Sequence, residues 1–167
     1  MSVKRLNELP ADEAAAEFAK CCGAKRWAET MTARRPYRGV DELTRTAGDI
    51  WASLSHADWI EAFRSHPKIG EKKATETVSA QAQKWSGQEQ SGVSNADPET
   101  IDSLVQLNHE YEEKFGFIFI VCATGKSAGE MLAILRERLQ HDAATELPIA
   151  AAEQAKITEL RLKKLIN

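Results

Sequence analysis

The chain has 167 residues, of which 43% are hydrophobic and 28% are charged, and its formal net charge is −3. This length can bury the core of one domain, and the composition is that of a globular protein rather than a disordered or fibrous one. The slight negative charge, without a dense basic run, argues against nucleic-acid binding. Lys68, Lys72 and Lys73 come nearest to a basic cluster, and we expect them to form a solvated surface.

The cysteines, Cys21, Cys22 and Cys122, are odd in number and include an adjacent pair, which indicates free thiols rather than a disulfide framework. Free thiols suit a reducing compartment, and no signal-type apolar core is seen near the N-terminus, so we expect a cytoplasmic protein. The cysteine and histidine spacings offer no metal site. The longest apolar run, residues 117–123, is far too short to span a bilayer, so no membrane association is expected.

Helical patterns dominate the first 65 residues. Four helices are predicted, over residues 10–22, 27–34, 41–54 and 55–65, with Gly23 ending the first and Pro36 following the second. Residues 67–96 are less regular. A helix is predicted to begin near Ser86 or earlier, and Ser86 together with Glu89 has the spacing of a capping box.

Three further helices follow, each with its own start signal. Asp97-Pro98-Glu99 predicts a helix start, and Gly116 its end. Ser127 and Glu130 form a second capping-box pattern. The final helix is predicted from Thr145 to Leu165.

Residues 117–123 have the composition of a β-strand, yet no other segment looks like a partner strand. We therefore predict a buried extended segment between helices, whose unpaired N–H and C=O groups could bind a flat, amide-rich ligand. The fold prediction is an all-α, single-domain helical bundle over residues 1–167 with one buried extended segment.

Gly125-Lys126-Ser127 after this run imitates a phosphate-binding loop. Such a loop needs an earlier glycine five residues before the second one, and Ile120 occupies that position. The alternative is that Ser127 caps a helix and Lys126 lies just outside it, which fits the pattern better.

Several polar residues fall where the helical pattern predicts burial. His66 follows the apolar face of a helix that Pro67 ends, which makes it either a hydrogen-bonded core histidine or an acid–base group. Glu89 and Gln90 lie near the predicted helix start, where free N–H groups favour an anion. Arg161 interrupts an apolar stripe of the last helix and either extends its head to water or anchors a carboxylate or carbonyl.

Taken together, these residues resemble the OHCU decarboxylase family, whose substrate is 2-oxo-4-hydroxy-4-carboxy-5-ureidoimidazoline. The resemblance covers about residues 6–165, with one departure at Ser91-Gly92-Val93 where Ala-Gly-Leu is expected. The motifs that carry it, in chain order, are His66-Pro67-Lys68-Ile69-Gly70, Trp85-Ser86-x-x-Glu89-Gln90, Tyr111-x-x-Lys114-Phe115-Gly116-Phe117-x-Phe119, Cys122-Ala123-x-Gly125-Lys126-Ser127 and Ile157-x-x-Leu160-Arg161-Leu162.

The resemblance implies an all-helical homodimer that forms (S)-allantoin and carbon dioxide in urate degradation and needs no metal or organic cofactor. It implies His66 as the catalytic residue, and we assign Glu89 to orient it. The substrate-binding residues implied are Pro67, Ser86, Glu89, Gln90, the backbone of Ile118, Phe119, Ile120, Val121 and Cys122, and Arg161. A helical binding module without chemistry, and a nucleotide-binding protein, are the alternatives.

Overall fold

The computed structural model describes residues 1–70 and 78–167. Within these ranges it contains nine α-helices and a short 3-10 helix, and the prediction of an all-α fold is confirmed. The helices are α1 (Val3–Glu8), α2 (Ala11–Cys21), α3 (Lys25–Ala33), α4 (Val40–Ser53), α5 (His56–Arg64), α6 (Ala80–Glu89), α7 (Pro98–Phe115), α8 (Ala128–Arg138) and α9 (Ala143–Leu165), with the 3-10 turn at Ser91–Val93.

The predicted helix starts are confirmed where a side chain caps the backbone. Asp97 accepts a hydrogen bond from Thr100 N–H at the start of α7, and Ser127 and Glu130 form the expected capping box of α8. Gly116 ends α7 with φ 77°, the left-handed conformation that glycine adopts without strain.

Three local predictions are wrong or incomplete. Helix α1 was not predicted; it is only six residues long and is capped by Ser2. Gly23 does not cap α2, because Cys22 takes that position in an extended conformation. Helix α6 begins after Ser79, whose hydroxyl accepts from Ala82 N–H, so Ser86 lies inside the helix rather than at its cap.

Contacts divide the chain into two compact units, and the boundaries fall within α5 and α9. Unit 1 comprises residues 1–62 and 155–167, and unit 2 comprises residues 63–154. Unit 1 contains an aromatic cluster in which Phe18 meets Trp27 and Tyr37 edge-on. The Trp27 indole N–H donates to the Ala47 carbonyl, which joins α3 to α4.

Unit 2 contains α6, α7, α8, the first part of α9 and the non-helical segment 117–123. Every residue of this segment is buried, with at most 8% of its surface exposed, which confirms the predicted buried segment. Tyr111 of α7 packs edge-on against Phe117 and Phe119. Across the described ranges, no helix combines the length and apolar character needed to cross a membrane.

Candidate active site

His66 lies two residues after the end of α5, as the following proline predicts. Its side chain is 6% exposed, and its backbone N–H donates to the Phe63 carbonyl. The ring Nε2 lies 2.7 Å from Gln154 Oε1. With the Gln154 amide in this orientation, the contact is a hydrogen bond when Nε2 carries the proton, because an amide oxygen only accepts. His66 is thus buried and hydrogen-bonded to the Gln154 amide. This arrangement fits both a core histidine and an acid–base group.

The loop of residues 67–70 after His66 is held from two helices. Gly70 N–H donates to Gln90 Oε1 at 3.2 Å, and Asn108 Nδ2 donates to the Ile69 carbonyl at 3.2 Å. Lys68 pairs with Glu112 at 2.5 Å and is 19% exposed, so it is not the solvated charge predicted. Lys72 and Lys73 lie outside the described residues. The loop that carries His66 therefore has a fixed path along α6 and α7.

Three of the predicted binding residues, Pro67, Ser86 and Gln90, line one pocket of about 400 Å³ in unit 2. Its other walls are mostly apolar or small. The described residues that line it are Pro67, Gly70, Val78, Gln83, Ser86, Gly87, Gln90, Val93, Ser94 and Ile101. His66 and Glu89 are not among them.

The face of α6 explains how Ser86 and Glu89 are placed. They lie three residues apart on one side of the helix and are 5% and 7% exposed. The next residue, Gln90, ends the helix and uses its amide oxygen on Gly70 N–H. Its NH₂ group is the part that can donate to a ligand in the pocket.

Segment 117–123 has one edge that is already occupied by side chains. Arg138 donates to the Ile120 carbonyl at 2.5 Å, Cys122 N–H donates to Glu153 Oε2 at 2.7 Å, and Lys126 donates to the Cys122 carbonyl at 2.8 Å. In extended backbone, the N–H and C=O of one residue face the same edge and successive residues alternate. On the extended backbone that the sequence predicts for this segment, the other edge carries the groups of Phe119 and Val121.

No described part of the chain hydrogen-bonds the backbone of Phe119 or Val121. Both residues are buried, at 2% and 5% exposure. Buried peptide groups without a partner are costly and rare. An N–H and C=O pair on one residue can exchange two hydrogen bonds with a planar amide or urea edge, as paired strands do.

The phosphate-loop alternative at residues 125–127 is wrong. The Lys126 amino group is bound to the Cys122 carbonyl, and Ser127 and Glu130 satisfy each other's backbone N–H at the start of α8. Ser86 likewise offers no helix N-terminus for an anion, because α6 starts at Ala80.

Arg161 lies in the part of α9 that belongs to unit 1, and only 2% of it is exposed. The alternative of a guanidinium that extends into water is therefore wrong. Cys21 and Cys22 lie in the same unit as Arg161. Burial raises the pKa of the Cys22 thiol to about 11, although the positive charge of Arg161 acts to lower it. Burial also raises the pKa of Cys21, and both thiols stay protonated at neutral pH.

Gln154, Glu153 and Arg138 contact the predicted site residues, and sequence reasoning did not select them. Gln154 has a detectable signal, since it occupies the same helical stripe of α9 as Ile157 and Arg161 at spacings of three and seven. Arg138 carries no comparable signal, since a basic residue in the last turn of a helix is a common pattern. In residues 1–70 and 78–167, no group of three or more His, Cys, Asp or Glu side chains is arranged to hold a metal ion.

Comparison with known proteins gives one consistent family. A family model described as OHCU decarboxylase matches residues 7–163. The chain is 38% identical over 152 residues to the uric acid degradation bifunctional protein TTL of Arabidopsis thaliana, covering 90% of this chain and 47% of that protein. It is 28% identical over 163 residues to 2-oxo-4-hydroxy-4-carboxy-5-ureidoimidazoline decarboxylase of Haloferax volcanii, covering 97% of this chain and 94% of that one.

A solved structure described as OHCU decarboxylase in the presence of (S)-allantoin matches with a TM-score of 0.79 and 38% identity. The match covers 90% of this chain and 97% of that chain. The chain spans less than half of the Arabidopsis protein and 32% of a bifunctional relative from Bacillus.

Proposed function

The chain belongs to the OHCU decarboxylase family, and on this premise we propose that it converts 2-oxo-4-hydroxy-4-carboxy-5-ureidoimidazoline to (S)-allantoin and carbon dioxide. The reaction is a step of urate degradation and uses no metal or organic cofactor. The names of the Haloferax relative and of the structure solved in the presence of (S)-allantoin support this assignment.

The observation that carries the proposal is the pocket of unit 2, where Pro67, Ser86 and Gln90 come from two separate motifs and line one cavity. A volume of about 400 Å³ suits a small ring compound, and a mostly apolar wall with a few polar groups is typical of ligand sites.

The proposed reaction breaks one carbon–carbon bond. The departing carboxylate sits on the ring carbon that also carries a hydroxyl, beside the ring imine. When carbon dioxide leaves, the bonding electron pair forms a double bond to the ureido-bearing carbon, and the imine nitrogen takes up a proton. The hydroxyl-bearing carbon then releases its hydroxyl proton and becomes a ring carbonyl. One proton is then delivered to one face of the ureido-bearing carbon, which makes the product chiral. The protein must orient the carboxylate, stabilise the developing charge and control the proton.

We assign the acid–base role to His66. Its Nε2 is bound to Gln154, so the ring is held in one orientation before substrate arrives. Glu89, buried on α6, is assigned to orient His66 and to hydrogen-bond the hydroxyl or ureido group of the substrate.

The remaining residues are assigned to binding. The Gln90 NH₂ group donates to a substrate oxygen, since its own oxygen is engaged by Gly70. The edge of Phe119 and Val121, which no described residue hydrogen-bonds, pairs with the amide groups of the ring. Arg161 binds a carbonyl or carboxylate of the substrate, because a buried guanidinium makes a two-pronged match with such a group.

The test is to generate the labile substrate in situ from urate and to follow the optical activity of the product. We expect the protein to produce (S)-allantoin faster than the uncatalysed decay, which gives both enantiomers. Racemic product formed at the uncatalysed rate would refute the proposed function. Treating the protein with a chelator before the assay tests the metal-independent mechanism, for which full activity is expected.

We further propose a cytoplasmic homodimer in which residues 1–167 act as one domain. Three free, buried cysteines support a reducing compartment. Light scattering on the purified chain measures the assembly state, and a monomer at all concentrations would contradict the dimer.

A further inference from the structure

Arg138, at the C-terminal end of α8, is 4% exposed, and its guanidinium contacts three different partners. It donates to Glu146 Oε1 at 2.5 Å, to the Tyr111 hydroxyl at 3.2 Å and to the Ile120 carbonyl at 2.5 Å. It also lies over the Phe119 ring, 4.7 Å from the centroid.

Glu146 completes this buried cluster. It is fully buried and accepts from the Tyr111 hydroxyl at 2.5 Å and lies 2.9 Å from His141 Nδ1. Burying a carboxylate and a guanidinium together is costly, and such a pair is weak evidence for stability. Stability alone therefore does not explain the cluster. Its contacts with Phe119 and Ile120 indicate a role in positioning segment 117–123.

We propose that Arg138 is a positioning residue that fixes the ligand-binding edge of segment 117–123. The hydrogen bond to the Ile120 carbonyl fixes the rotation of the backbone at that residue. The contact with the Phe119 ring fixes where the segment lies relative to α8. Together these contacts turn the N–H and C=O groups of Phe119 and Val121 to the opposite edge. The inference rests on the proposed function, because it assigns those groups to the substrate ring.

Lysine at position 138 separates this role from charge alone. Arg138→Lys keeps one positive charge beside Glu146, but its N–H donors all lie on one nitrogen and lose the planar fork that spans the three partners. We expect weaker binding of (S)-allantoin by calorimetry and a higher KM, between about tenfold and about a hundredfold. Amide hydrogen exchange should accelerate at Phe119 to Val121. Arg136→Lys is the matched control, since Arg136 lies on the same helix, is exposed and should bind as the wild type does.

An apolar replacement of the cluster keeps the proposal testable if the lysine variant does not fold. The triple variant Arg138→Met, Glu146→Leu, Tyr111→Phe removes the buried ion pair of this cluster, and such replacements are often tolerated. We expect it to fold and to bind (S)-allantoin poorly. Wild-type affinity and wild-type exchange in either folded variant would overturn the positioning role. Failure of the wild-type protein itself to make or bind (S)-allantoin would instead refute the proposed function.

Discussion

The side chain of His66 is fixed before any ligand binds, because the loop that follows it is bound to α6 and α7 and its ring is bound to Gln154. Replacement by alanine removes the assigned acid–base group without touching a helix interior. His66→Ala should lower the rate of (S)-allantoin formation by at least about a hundredfold, with a normal circular-dichroism spectrum. His109→Ala, an exposed change on α7, is the control. Full turnover in a folded His66→Ala protein would show that the assignment is wrong.

Gln154 provides a finer test of the same residue, since it acts through His66. Gln154→Glu places a carboxylate beside Nε2 and should favour the protonated ring. We expect the His66-dependent limb of the kcat/KM profile to move to higher pH, and Gln154→Leu to lower kcat without that displacement. An unchanged pH profile in Gln154→Glu would contradict a functional contact.

Because Arg161 is buried, we expect lysine to be a poor substitute at this position. Arg161→Lys keeps the charge and loses the forked geometry, and KM should rise by about tenfold or more, as expected for a lost charge-assisted hydrogen bond. Steady-state kinetics with the in situ substrate measure this. The same KM in wild type and Arg161→Lys would eliminate the anchoring role.

The residue types of the candidate site were predictable because a polar residue on the apolar face of a helix is costly to bury unless it has a partner or a function. His66, Glu89 and Arg161 are all buried, as the periodicity indicated. Gln154 was missed although it shares the stripe of α9 with Ile157 and Arg161, because a glutamine in a helix usually lies at the surface. Arg138 was missed since nothing in its own helix indicates that a carbonyl of segment 117–123 is its partner.

At the scale of elements, helix boundaries were predictable where a capping side chain sets them. The prediction was wrong where it relied only on the Ser–x–x–Glu spacing. Asp97 and Ser127 cap their helices as predicted, while Ser86 has the same pattern and lies mid-helix. The difference is the upstream Ser79, which satisfies the helix start first. Local sequence cannot decide between two such caps when both are followed by helix-forming residues.

The 3-10 turn after α6 depends on one glycine. A Cβ at Gly92 would lie 2.1 Å from the Lys126 carbonyl oxygen, a backbone atom. Gly92→Ala must therefore displace the turn at residues 91–93, which includes Val93 of the pocket wall. We expect a loss of about 1–3 kcal/mol in the free energy of unfolding, measured by urea denaturation.

Gly48→Ala is the matched comparison for this change. Gly48 lies inside α4 with no atom within 4 Å of an added Cβ, so alanine should stabilise the protein by about 0.5–1 kcal/mol. Equal stabilisation by Gly92→Ala would mean that the close approach to Lys126 is not a constraint.

At the scale of the whole molecule, acidic side chains at helix starts couple stability to pH. Asp97, Glu130 and Asp142 accept backbone N–H hydrogen bonds at the starts of α7, α8 and α9, from Thr100, Ser127 and Thr145 respectively. These bonds lower the pKa of each carboxyl below its ordinary value, 3.8 for the aspartates and 4.5 for the glutamate. The folded state therefore binds fewer protons than the unfolded state in this range.

The sign of the pH effect follows from that difference. A lowered pKa contributes stability that is fully present above the ordinary pKa and is lost as the pH falls through the lowered one. The contribution of these three groups to the free energy of unfolding should be constant from about pH 7 to about pH 5 and decline below about pH 5. Urea denaturation at several pH values measures this decline. Asparagine caps a helix about as well as aspartate and does not titrate. The double variant Asp97→Asn, Asp142→Asn should therefore match wild type at pH 7 and decline less steeply in acid, whereas an equally steep decline would assign the acid sensitivity to other groups.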